Sequence, residues 1–78
     1  MDFIKKRVKQ YQEKKLNEAL SKMKFHIDMK NELENKVEIN DDSEKIKIRK
    51  EISYHAKMVD IWKNNSEKIK KEMKKIDD

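Results

Sequence analysis

His26 and His55 are the only two imidazoles in the 78 residues. Imidazole ligates zinc or copper and exchanges protons near neutral pH. A structural zinc site normally takes four ligands, and the chain has no cysteine to supply thiolates. Glu51, one helical turn before His55, is the nearest further ligand, while Lys22 and Lys30 flank His26 and oppose a cation. His26 and His55 are therefore weak metal candidates, and a two-fold dimer would have to complete the set. The preferred reading is a polar layer inside the fold. Two neighbouring imidazoles resist double protonation, so mild acid should loosen whatever they hold together.

Phosphate recognition is the second chemistry to consider. Lys5, Lys6, Arg7 and Lys9 cluster near one end of the chain, and Lys70, Lys71, Lys74 and Lys75 near the other. Such a patch can neutralise nucleic-acid phosphates. Small dimers of helical hairpins are one architecture that binds structured RNA, though no motif supports the analogy here. Lysines outnumber arginines nineteen to two, which disfavours bidentate recognition of phosphate or bases. The bland alternative is a solvated face laced with pairs such as Glu18–Lys22, Glu32–Lys36 and Glu67–Lys71.

Catalysis is the poorest fit. Ser21, Ser43, Ser53 and Ser66 match no nucleophile arrangement, and neither histidine has a glutamate three residues before it. The absence of glycine removes phosphate-cradling loops and nucleotide fingerprints. We expect no enzyme, no catalytic residue and no cofactor.

Any of these residues must be positioned by helices. From Ile48, alternating steps of four and three visit Ile48, Ile52, His55, Val59, Trp62, Ser66, Ile69, Met73 and Ile76. Seven of the nine are apolar, which is a coiled-coil seam. Charged residues are 47 % of the chain and apolar ones 35 %, a balance shared by disordered chains and long exposed helices. The sustained repeat decides for helix. In the first half, Ile4, Val8, Tyr11, Ala19, Met23, Leu33 and Val37 form a looser stripe. Leu16, Leu20 and Ile27 widen it on one side, and Asp2 can cap its start.

Between the halves lies "EINDDSE", residues 38–44. Asn40 suits a left-handed helix end, and Asp41 with Glu44 matches a capping box. The expected fold is an all-α antiparallel two-helix hairpin, with helices over about 2–38 and 43–77 forming a single domain over 1–78. The alternative is a three-helix arrangement with a break near 64–66, because "NNSEKIKK" resembles "DDSEKIKI".

A turn near Asn40–Asp41 pairs residues whose numbers sum to about 81. His26 then meets His55, Ala19 meets Trp62, Leu33 meets Ile48, Val8 meets Met73 and Lys15 meets Ser66. Off the seam, Phe25 and Met29 on one helix share a side with Tyr54, Met58 and Ile61 on the other. An apolar flank on so small a chain marks a contact surface. Trp62 and Tyr54 are candidate anchors, with Trp62 better read as core.

These features point to a small intracellular interaction or regulatory module. It would act through helix-face protein contacts and self-associate as a dimer, a four-helix bundle. Another protein is the next partner to consider. Nucleic acid, bound electrostatically at the basic open end, is the alternative. Residues 2–16 offer a narrower stripe for an anionic membrane surface. The charged start reads as carrying no export signal, and no apolar run exceeds two residues, so we expect a cytoplasmic protein with no integral membrane segment.

Overall fold

The computed structural model describes residues 2–37 and 41–77. It contains two α-helices, α1 (Asp2–Val37) and α2 (Asp42–Asp77), packed along their lengths as a hairpin. The body measures 61 × 13 × 12 Å. Its radius of gyration is 17.8 Å, against roughly 11.5 Å for a compact domain of this length. Without glycine or proline, and with nineteen lysines, nine glutamates and five methionines, nothing local interrupts either helix.

Direction and register follow from two cross-helix contacts. His26 Nδ1 lies 2.7 Å from His55 Nδ1. One turn earlier on α1, Lys22 Nζ lies 4.4 Å from the centroid of the Trp62 ring. Moving back along α1 moves forward along α2, so the helices are antiparallel. The histidine contact places the register where the sequence predicts it.

The α2 seam also agrees. Ile48, Ile52, His55, Val59, Trp62, Ile69, Met73 and Ile76 are half-buried, and Ser66 is 3 % exposed. α2 continues unbroken through residues 64–66, so the described residues contain no third helix. The local reason is Ser66 itself, whose hydroxyl donates to the Lys63 carbonyl at 2.7 Å. It satisfies its polarity within its own helix instead of capping a new one.

α1 departs from expectation. Its inward positions are Gln12, Leu16, Ala19, Met23, His26, Lys30, Leu33 and Val37, a strict alternation of four and three. Ile4, Val8 and Tyr11, expected on the inner stripe, are exposed at 62 %, 40 % and 62 %. A heptad partner requires a heptad, and α2 imposes one on α1 even where that brings in Gln12 and Lys30. The Lys15–Ser66 polar pair does not form. Lys15 is exposed, 3.8 Å from Glu18 and over the Tyr11 ring.

Asp41 caps α2. Its Oδ1 accepts the Glu44 backbone N–H at 3.0 Å and the Ser43 hydroxyl at 3.1 Å. The Lys45 N–H reaches the Asp41 carbonyl at 2.9 Å. Asp2, predicted as the cap of α1, lies inside its first turn, where its charge favours the helix N-terminus. Asn40 and the rest of the predicted turn at 38–40 lie outside the described residues. The bonds from Glu44 and then Ser43 hold the Asp41 carboxyl below its usual range. Its contribution is therefore intact above the ordinary value of 3.8 and is lost as pH falls through the lowered folded value. Asp41→Ala should lower the melting temperature at neutral pH, and the gap to the parent should close in strong acid; thermal melts followed by circular dichroism read both.

The apolar core is thin. Among the described residues only Ala19 and Leu33 are buried hydrophobics, accompanied by buried His26 and Ser66. The register sets Ala19, the smallest inward residue of α1, opposite Trp62, the largest of α2. Trp62 stays half-buried, with Lys22 over its ring. That cation–π contact is worth about 0.5–2 kcal/mol. It takes Lys22 away from the predicted Glu18 pair, whereas Lys36 does pair with Glu32, at 3.8 Å.

Candidate functional site

His26 and His55 lie at the same level of the hairpin, and the sequence places an apolar residue just before each of them. One step back around a right-handed helix turns a side chain by about 100°. In antiparallel helices that step leads to the same side of the pair, so Phe25 and Tyr54 emerge together. The ring contacts agree: Phe25 lies edge-on to His26 (5.1 Å) and His55 (6.5 Å). Tyr54 lies edge-on to His55 (5.0 Å) and His26 (6.0 Å). Four rings thus form one cluster, its imidazoles inward and its phenyl and phenol rings outward.

Met29, Met58 and Ile61 continue that side at the next turns. Phe25, Tyr54 and Ile61 are exposed at 56 %, 54 % and 50 %, while Met29 and Met58 are half-buried. Steps of seven back from Phe25 reach Glu18, then Tyr11 and Ile4, all on the same side of α1. Tyr11 and Ile4, each 62 % exposed, add a separate apolar patch towards the open end, divided from Phe25 by Glu18. Sequence reasoning puts Tyr11 and Ile4 on the inner stripe, and their spacing of fourteen and twenty-one residues from Phe25 is the signal it overlooks.

On the opposite side Leu20 is half-buried beside inward Leu16, and Ile27, Lys30, Ala56 and Val59 line a groove. The apolar residues are smaller there, and Lys30 and Asp60 border the groove.

The histidine layer is tight. At 2.7 Å one Nδ1 must donate and the other accept, so the two rings carry different Nδ1 protonation. A second proton would turn the contact into donor against donor. Burial, then the charge of His55, lowers the pKa of His26. Lys22 and Lys30 flank it on α1, engaged with Trp62 and Glu34 respectively. From α2 it meets His55 and Tyr54. No group of three or more metal-ligating side chains occurs among the described residues. The pair supplies two nitrogens, and Glu51 is exposed.

At the open end, Lys5, Lys6, Arg7, Lys9, Lys70, Lys71, Lys74 and Lys75 are all exposed. The fold brings the two clusters together: Lys5 and Lys75 line one shallow cleft with Ile4, Val8 and Ile76. Arg7 lies over the Phe3 ring at 5.2 Å.

Fold and site together define an antiparallel α-helical hairpin with an aromatic-and-methionine face beside a histidine layer. No helix of the described residues is long and apolar enough to cross a membrane. No family model, no curated protein and no solved structure matches the chain.

Proposed function

We propose that this chain is a small non-enzymatic interaction module, regulatory in role, that self-associates and docks through its helix faces. The observation that carries the reading is the exposure of Phe25, Tyr54 and Ile61 on a hairpin whose buried hydrophobics are Ala19 and Leu33. Among the described residues nine large hydrophobic side chains are exposed and two hydrophobic ones are fully buried, and helices of this kind draw most of their stability from packing an apolar face.

Surface area agrees with that reading. The chain exposes 6513 Å², whereas a compact monomer of 9.6 kDa exposes roughly 5,100 Å². Two hairpins merged into one compact body would hide on the order of 4,600 Å² of their combined surface. Obligate homodimers bury about 2,000–5,000 Å². A cytoplasmic location belongs to this proposal. It is tested by the concentration dependence of thermal stability: a self-associating hairpin melts higher as its concentration rises, and a self-sufficient one does not.

A second reading is electrostatic nucleic-acid binding, favoured by the meeting of Lys5 and Lys75 at one cleft. Replacing Lys5, Lys6 and Arg7 with alanine should then weaken RNA or DNA binding. It should also flatten the salt dependence, by close to one unit of slope for each phosphate no longer neutralised. Binding titrations at several salt concentrations check this, and retention that ignores both salt and the substitutions removes the reading.

A further inference from the structure

We infer that the occupant of the Phe25–Tyr54 face is a second copy of this chain lying antiparallel, its turn end over the open end of the first. This rests on the self-association proposed above and adds the face and the orientation.

Charge decides the orientation. Residues 1–24 and 60–78, which meet at the open end, hold fourteen Lys/Arg and eight Asp/Glu, a net of +6. Residues 32–49, the levels of both helices nearest the turn, hold six acids and four Lys/Arg, a net of −2. Two copies with their turns at the same end set like charges side by side at both ends. Reversing one copy sets each acidic end beside a basic one. In a bundle the facing surfaces lie within about one Debye length at physiological salt, so this difference is felt.

The choice of face follows from chemistry and area. Its middle carries Phe25, Met29, Tyr54, Met58 and Ile61, large side chains with few rotamers or with adaptable thioethers. The opposite side is bordered by Lys30 and Asp60 and offers smaller residues. The five spread over about 14 Å of the hairpin with Phe25 near the middle, so a two-fold axis through that level superposes the face on itself and sets the turn end of one copy over the level of Tyr11 in the other. Such an axis crosses the helices at right angles, and reversal of the second copy is what it produces.

The test uses the absence of cysteine, which makes any introduced thiol unique. Spin labels are attached at Lys6→Cys in one preparation and at Asp42→Cys in another, and distances between chains are measured by pulsed electron resonance. With a rise of 1.5 Å per residue, the reversed dimer separates two Lys6 labels by about 57 Å and brings a Lys6 label within about 20 Å of an Asp42 label in mixed dimers. The opposite pattern overturns the orientation and leaves self-association standing. Absence of any coupling between chains overturns both. Adding Phe25→Asp to each labelled chain should abolish the coupling; coupling that persists overturns the assignment of the face.

Discussion

A Phe25→Asp, Met58→Asp chain is expected to lose both its dimer and most of its helix. Both side chains lie beside the histidine layer, Phe25 exposed and Met58 half-buried in the isolated hairpin. Covering one large apolar side chain is worth about 1.5–3 kcal/mol. A two-fold interface loses each side chain twice. Taking about 2 kcal/mol for Phe25 alone gives about 4 kcal/mol per dimer, roughly a thousandfold in the dissociation constant, before any cost of burying carboxylates. The consequence reaches folding because the core is so thin. With Ala19 and Leu33 as its buried hydrophobics, a lone hairpin has little to set against the entropy of ordering two long helices. Circular dichroism at neutral pH should therefore show a marked fall in helicity for the variant. Surface changes such as Lys63→Gln, on an exposed residue off the face, should leave it unchanged. A double variant as helical and as thermostable as the parent would contradict this account of the face.

Replacing both His26 and His55 with leucine is expected to act in the opposite direction. Buried polar pairs exchanged for packed apolar residues are often neutral or stabilising by on the order of 1–4 kcal/mol. The pair should be held for its directional contact: at 2.7 Å it accepts one register and rejects a slip by a residue. The parent's pH dependence follows from His26. Burial, and then His55, depress its folded pKa below the ordinary 6.5. Between those two values the unfolded chain binds more protons than the folded one, so stability rises with pH through that window. Stability should thus be intact above 6.5, fall as the medium is acidified, and level off below the lowered folded value. The double leucine variant should melt higher and lose this dependence. His55→Leu alone leaves His26 Nδ1 buried without its partner and should be less stable than the double variant. A parent with a flat profile across mildly acidic pH, or a double variant with a steep one, would remove the protonation account.

α2 is legible because its heptad is written almost wholly in apolar residues, interrupted at His55 and Ser66. The register is legible because one short acidic segment can hold the turn, which leaves a single antiparallel pairing to consider. α1 is not, because its inner positions include Gln12, His26 and Lys30 while Ile4, Val8 and Tyr11 lie outside. Residue type alone draws the stripe through the wrong side chains. The register carries the missing information: the His26–His55 pairing, extended in steps of seven, returns Gln12, Ala19 and Leu33. Lys15 and Ser66 differ from expectation for a related reason. A small hydroxyl can satisfy itself on its own helix, so a polar residue in one seam need not require a polar neighbour in the other. The apolar face is recognisable in its central five residues. The separate patch of Tyr11 and Ile4 beyond Glu18 is hidden because residue type places those two inward.

The central claim is that this hairpin does not stand alone. Sedimentation equilibrium of the unmodified chain at micromolar concentration, near neutral pH and physiological salt, tests it most directly. The account predicts a mass close to twice the 9.6 kDa of one chain, falling towards one chain on dilution. A fully helical species that keeps the single-chain mass at every concentration would contradict it.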